Sequence, residues 1–194
     1  MGELSAVEFV TLDGVMQGFD GPDDDETFSH GGWGLPYQSP DSVQQGTEAS
    51  ASARTYLLGR KTYERMIAFW PHQPESNRMA AQLNAAPKFV ASRTRADFTW
   101  NAAHLEGELV PAVARLKDES ADPLVILGSG QIVRQLLTAR LVDRLTLFLH
   151  PLVLGTGGRV FPELEEPLPL ALADVTRTST GVVVLNYARE GGRA

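Results

Sequence analysis

Apolar and polar positions alternate from Ala6 to Thr11 and the run ends at Leu12-Asp13-Gly14, which predicts a strand entering a turn. Thr55 to Leu58 and Lys88 to Ala91 read as further strands, and the wholly apolar Leu124 to Leu127 as a strand buried on both faces. Between them the period changes to that of a helix. Lys61 to Phe69 carries Tyr63, Met66, Ile67 and Phe69 on one stripe and stops at Trp70-Pro71. Glu108 to Lys117 aligns Leu109, Val113 and Leu116, and Gln131 to Thr138 aligns Ile132, Val133, Leu136 and Leu137. Asp41 to Arg54, with Asp41 or Ser42 as its cap, and Asn77 to Asn84 read as two more helices.

Strands alternating with helices imply a buried, partly parallel sheet with right-handed crossovers. The end of the chain departs from that rhythm. Asp143 to His150, Leu170 to Thr178 and Val182 to Arg189 read as strands, and the turn Ser179-Thr180-Gly181 makes the last two an antiparallel hairpin. The fold class expected is therefore α/β, with a mixed, mainly parallel sheet in a single domain over residues 1–194. Gly18 to Pro40 has no apolar period and is rich in Gly, Pro and Asp, as expected of a long loop acting as a lid or binding segment. Its cluster Asp23-Asp24-Asp25-Glu26 lacks the alternating ligand spacing of a calcium loop and reads as a solvated face.

Composition narrows the function. With 24 acidic against 17 basic side chains, a net charge of −7 repels a polyphosphate backbone, so nucleic acid is excluded as a partner while a small anionic cofactor is not. No cysteine is present, which removes disulfide and thiolate chemistry. Met1 to Ser5 lacks the basic start and apolar stretch of a secretory signal, and no run approaches a membrane span; a cytoplasmic protein without membrane contact is expected.

Two apolar runs stop at a glycine followed by a helical stretch: Tyr56-Leu57-Leu58-Gly59-Arg60-Lys61-Thr62-Tyr63 and Leu124-Val125-Ile126-Leu127-Gly128-Ser129-Gly130-Gln131. A helix start presents unpaired N–H groups and partial positive charge, and glycine lets a ligand approach the backbone, so two such junctions suit the two ends of a pyrophosphate-linked dinucleotide. Either junction alone is also what an ordinary strand-to-helix turn provides. Val133 stands where a dinucleotide fingerprint needs its third glycine, and Leu127 and Gln131 replace the flanking glycines of a nucleophile elbow around Ser129. Neither junction, nor Gly155-Thr156-Gly157-Gly158, is a phosphate loop. The four histidines, at 30, 72, 104 and 150, show no metal-ligand spacing, so no metal site is expected.

The ordered set Glu8-Phe9-Val10-Thr11-Leu12-Asp13-Gly14-Val15-Met16, Leu58 to Glu64, Val90-Ala91-Ser92-Arg93-Thr94, Ile126 to Gln131 and His150 to Phe161 resembles the dihydrofolate reductase superfamily. Within it, the chain looks like the bacterial group related to the reductase domain of riboflavin biosynthesis (RibD C-terminal-like). The resemblance implies a three-layer α/β/α fold with NADPH across the carboxyl ends of the central strands. Carried over by position, Gly59, Arg60, Lys61 and Thr62 form the first cofactor segment, with Arg60 toward the adenosine phosphate and Thr62 near the pyrophosphate. Ser92 and Arg93 match the second adenosine-side contact, and Gly128, Ser129, Gly130, Gln131 and Ile132 the turn that cradles the pyrophosphate. Arg60, Ser92 and Arg93 are suitable partners for the extra phosphate of NADPH, the lesser alternative for the two arginines being surface ion pairs.

In the same family the strand ending at Leu12-Asp13-Gly14 borders the nicotinamide, which makes Asp13 the catalytic candidate and places Val15 and Met16 beside the ring. Asp13 equally suits capping the turn. Trp33, Leu35 and Tyr37 are candidates for lining an acceptor pocket under the loop. Neither Asp41 nor Glu48 aligns with the acidic residue that serves the pteridine ring in true dihydrofolate reductases, and the acidic loop disfavours a folate tail. The expected activity is NADPH-dependent hydride transfer to a small heteroaromatic or carbonyl-type acceptor. The alternatives are the 5-amino-6-(5-phosphoribosylamino)uracil reductase of riboflavin biosynthesis, which needs cations that the first loop does not supply before Arg54, and a module that binds NADPH without chemistry. Apolar C-terminal strands that leave an edge to cover, and the habit of similar proteins, point to a homodimer.

Overall fold

The computed structural model describes residues 2–22 and 25–190. Its eight strands are β1 (Leu4–Thr11), β2 (Thr55–Gly59), β3 (Lys88–Ala91), β4 (Ala102–His104), β5 (Leu124–Leu127), β6 (Arg144–His150), β7 (Leu170–Arg177) and β8 (Val183–Arg189). Five α-helices accompany them: α1 (Pro40–Ala49), α2 (Arg60–Phe69), α3 (Arg78–Ala85), α4 (Leu109–Glu119) and α5 (Gly130–Thr138). The strands form one sheet in the order β4-β3-β2-β5-β1-β6-β8-β7, in which only β8 runs against its neighbours.

The period-2 and period-3.6 stripes meet as amphipathic patterning requires. On one face Leu4, Ala6, Leu57, Leu124, Ile126 and Leu145 pack against Val113 of α4 and Ile132, Val133 and Leu136 of α5. On the other, Val7, Tyr56, Leu58, Val90 and Val125 pack against Tyr63 of α2 and Met79 and Leu83 of α3. Burying each such aliphatic side chain contributes roughly 1.5–3 kcal/mol. Ser39 begins α1 through a reciprocal capping box with Ser42, and the Asn77 side chain caps α3.

The structure moves several expected boundaries. β1 begins at Leu4, because its first residues pair with both β5 and β6. α1 stops at Ala49 instead of running on to Arg54, where Ser50 takes the C-cap position and turns its hydroxyl back onto the Gly46 carbonyl. β4 was not foreseen; its three residues form an edge strand on β3.

Chain direction sets up a crevice at the carboxyl ends of β5 and β1. The connection leaving β1 runs through α1 to β2 on one side, while that leaving β5 runs through α5 to β6 on the other. Adjacent strands whose connections part in this way open a gap at their ends where ligands bind in α/β sheets. No helix among the described residues is long and apolar enough to cross a membrane.

Candidate functional site

Beside that crevice, at the carboxyl ends of β2 and β5, the two glycine junctions touch. The backbone N–H of Gly59, which ends β2 and precedes α2, donates to Ser129 Oγ at 2.9 Å. Ser129 stands before α5 and gives that helix no side-chain cap, its hydroxyl being engaged with Gly59; α2 has no side-chain cap either. Both helix starts therefore keep N–H groups and partial positive charge directed at the ledge. Gly128 and Ser129 have φ of 65° and 67°. For serine the left-handed region costs about 1 kcal/mol, a strain that stands where the backbone must turn sharply into α5. Thr62, in the first turn of α2, lies beside Gly128, and Ile132 of α5 reaches to Gly59.

Outward from the ledge lies a cationic end. Arg60 pairs with Glu64 at 2.8 Å, and the other oxygen of Glu64 is 3.7 Å from Arg95. The Arg95 guanidinium stacks over Phe98 and is held by the Asp97 carbonyl. Ser92 Oγ accepts the N–H groups of Thr94 and Arg95, which leaves its own proton to donate. Lys61 and Arg93 are exposed at this end.

At the other end the turn after β1 is tightly braced. Thr11 Oγ1 donates to Asp13 Oδ1 at 2.6 Å, the N–H groups of Leu154 and Gly155 donate to its carboxylate at 3.2 and 2.9 Å, and Arg159 lies 3.6 Å from Oδ2. The Thr11 hydroxyl bond, with the backbone donors behind it, lowers the Asp13 pKa to about 2. A carboxylate engaged in this way ties the β1 turn to the 152–159 loop, the bracing role that its sequence leaves open beside a catalytic one. Val15 is buried and bridges to Arg159, while Met16 lies across the start of α5, where a Cβ on Gly130 would fall 1.7 Å from its sulfur.

Beside this turn, on the α2 face of the sheet, aromatic rings gather around His150. Trp33, Phe19, Tyr37 and Phe9 place their ring centres 5.1, 5.5, 5.6 and 6.4 Å from the imidazole. Trp33 is buried and its Nε1 donates to the Gln17 carbonyl at 2.6 Å. His150 Nδ1 lies 2.8 Å from the Phe148 carbonyl and 3.3 Å from that of Val10. Two carbonyls can only accept, so Nδ1 carries the proton and Nε2 the lone pair. Burial lowers the pKa of the ring and favours that neutral form.

The fold thus brings Gly59, Arg60, Thr62, Gly128, Ser129, Gly130 and Ile132 onto one ledge, with Ser92 at one end, Val15 and Met16 at the other, and Trp33 and Tyr37 in the ring cluster. Gln131 is exposed on α5, and Leu35 is half exposed and joins no buried cluster among the described residues. Asp41, far along the chain from its partners, accepts from the N–H and hydroxyl of Ser179 and ties α1 to the β7–β8 turn. Sequence reasoning missed His150, Phe9, Phe19 and Arg95. A search for metal spacing cannot find a histidine whose neighbours come from β1, the first loop and β6.

The comparisons with known proteins agree with this architecture. The family described as the RibD C-terminal domain matches residues 4–184. Two Bacillus subtilis (strain 168) proteins are similar along the chain: YyaP, 26% identical over 94% of this chain and 92% of its own length, and YwjB, 28% identical over 93% and 94%. Among solved structures, a putative riboflavin biosynthesis protein from Shewanella sp. PV-4 superposes with a TM-score of 0.67 at 18% identity, covering 97% of this chain and 99% of its own. A pyrimidine reductase-like protein from Corynebacterium diphtheriae gives 0.67 at 13% identity, with 97% and 92% covered. These neighbours share the dihydrofolate reductase-like fold. With a family match over almost its whole length, joined to a mainly parallel sheet closed by an antiparallel hairpin, the chain belongs to the RibD C-terminal domain family.

Proposed function

We propose that the protein is an NADPH-dependent reductase that delivers a hydride to a small heteroaromatic or carbonyl-type acceptor. The observation that carries this reading is the Gly59 N–H···Oγ Ser129 bond, which joins two uncapped helix starts into one anion-binding ledge between a cationic end and the β1 turn. The residues fit the coenzyme: N–H groups at α2 and α5 suit a pyrophosphate, Arg60, Ser92 and Arg93 suit the adenosine phosphate, and Val15 and Met16 border the reacting end. When bound, the coenzyme supplies the hydride. The chain's part is to orient the ring against the β1 turn and to hold the acceptor against it, dry, beneath the 17–38 loop. That loop is fastened to α2 by Arg65, which bonds Asp20 at 3.2 Å and the Pro22 carbonyl at 2.9 Å. The names of the structural neighbours, a pyrimidine reductase-like protein among them, support reductase chemistry of this kind. Asp25 and Glu26, both exposed, give the loop an acidic rim that disfavours a phosphorylated acceptor.

A homodimer fits the exposed edge: β7 is an edge strand with Leu172 and Val175 both more than half exposed, and an open groove of about 550 Å³ runs from its Leu170 past Leu147 and Tyr187 to Leu12, Asp13 and Gly14 of the β1 turn.

The test is a titration of the protein with NADPH and with NADH, followed by tryptophan quenching, in wild type and Arg60→Ala. A hydrogen bond to a charged group contributes roughly 1.5–3 kcal/mol, so the variant weakens NADPH about ten- to a hundredfold and NADH far less. Equal losses for the two coenzymes refute the placement of the phosphate. No binding of either by the wild type refutes the reductase reading.

A further inference from the structure

Phe19 is the one ring of the His150 cluster that comes from the Gly18-to-Pro40 loop and stacks flat on the sheet. It lies on Phe9 with ring centres 4.3 Å apart and planes 20° from parallel, and it meets the edges of Trp33 at 5.3 Å and His150 at 5.5 Å. The opposite wall is shaped for this ring. A methyl group at Gly34 would fall 2.2 Å from its Cδ2 and Cε2 atoms, and the Gly34 N–H donates to the Phe19 carbonyl at 3.0 Å.

Phe9 belongs to β1, whose following turn the coenzyme reading places beside the nicotinamide, and His150 ends β6, paired in register with Thr11. Its Nδ1 is fixed by the carbonyls of Phe148 and Val10, while Nε2 has no hydrogen-bond partner among the described residues. Nε2 is not among the fully buried unpartnered atoms, so its lone pair is open to a donor from outside the chain, water in the free protein or a ligand beside the ring cluster.

We propose that the slot filled by Phe19 is the seat of a flat acceptor ring bearing an N–H or O–H on its edge, which stacks on Phe9 and donates to His150 Nε2 once Phe19 has swung out. This deepens the reductase reading and rests on it, since the slot becomes an acceptor site only if the coenzyme lies against the β1 turn. Phe19 then acts as an internal stand-in that keeps the slot closed and dry. The swing is a rotation about the side-chain bonds of Phe19, because the Gly32 N–H on the Gly18 carbonyl at 2.6 Å and the Gly34 N–H on the Phe19 carbonyl at 3.0 Å hold the backbone in place. A flat ligand recovers the same stacking on Phe9, and its edge donor adds a bond that Phe19 cannot make. His150, by this reading, selects and orients the acceptor.

The test uses quinazolin-4(3H)-one, a flat lactam with one ring N–H, and its 3-methyl derivative, which lacks that donor. Calorimetric titration of the full chain is expected to show the N–H compound binding about tenfold more tightly than the methylated one, because the methylated ring leaves the Nε2 acceptor unmet. In Phe19→Ala both compounds bind several-fold more tightly, since no ring has to be displaced. In His150→Phe the difference between them vanishes. Equal affinities in wild type, or affinities unchanged by Phe19→Ala, overturn the inference, as does the absence of binding by both wild type and Phe19→Ala. Phe19 is a partly exposed loop residue whose removal leaves the core intact, so that variant decides the matter even if His150→Phe fails to fold. A parallel NADPH titration separates the two readings. NADPH binding without the N–H preference defeats the slot alone, whereas the preference without NADPH binding defeats the coenzyme reading.

Discussion

Glu8 points from β1 toward the face covered by α5, between Ala6 and Val10, and is 2% exposed. Its Oε1 has no hydrogen-bond partner among the described residues, and burial raises its pKa from 4.5 to about 8. The folded protein therefore holds a proton on Glu8 through a range in which the unfolded chain has released it. Between about pH 4.5 and pH 8 the unfolded state binds fewer protons, so this group makes stability fall as pH rises. A shift of roughly 3.5 units corresponds to about 5 kcal/mol across the whole window, of which about 3 kcal/mol falls between about pH 5 and pH 7.5. Other groups also titrate. The buried imidazole of His150, with its lowered pKa, gives the opposite slope below its ordinary value, and Asp13 and Asp41, both held near 2, act only in stronger acid. The comparison that isolates Glu8 is with Glu8→Gln, which keeps the shape and cannot ionise. Urea unfolding of both proteins across this range should show the variant gaining about 3 kcal/mol on the wild type from pH 5 to pH 7.5. Parallel curves would mean that Glu8 is ionised in the folded protein or finds a partner there, and the reasoning fails.

Other substitutions test separate parts of the fold. Gly130→Ala forces the Met16 side chain off the start of α5, which should lower stability by about 1–3 kcal/mol; the loss should largely disappear in a Met16→Ala background, and additive losses in thermal melts would deny the contact. If the β7 edge joins two copies, Leu172→Lys combined with Val175→Lys should convert a dimer to a monomer in sedimentation velocity, with the far-ultraviolet circular dichroism unchanged; a wild-type monomer at micromolar concentration refutes the dimer.

The helices and strands were largely legible because each buries one stripe of side chains, and that stripe is written in the spacing of Tyr63, Met66 and Ile67 or of Ile132, Val133, Leu136 and Leu137. β4 was not legible: Ala102, Ala103 and His104 carry no apolar signal and become a strand only because β3 offers them an edge. The glycine junctions could be recognised one by one, since a helix start is a local event. That Gly59 donates to Ser129 across 70 positions of chain could not, because only the parallel pairing of β2 with β5 sets those two turns side by side. Asp13 and His150 show the same division more sharply. The residues next to Asp13 leave it equally suited to catalysis or to bracing, and the partners that brace it, Leu154, Gly155 and Arg159, are brought back from far along the chain. His150 reads as an isolated residue until β6 pairs with β1 and the first loop folds over both. Local spacing records what a segment buries, whereas the charge and company of a side chain depend on which distant segments the sheet order makes its neighbours.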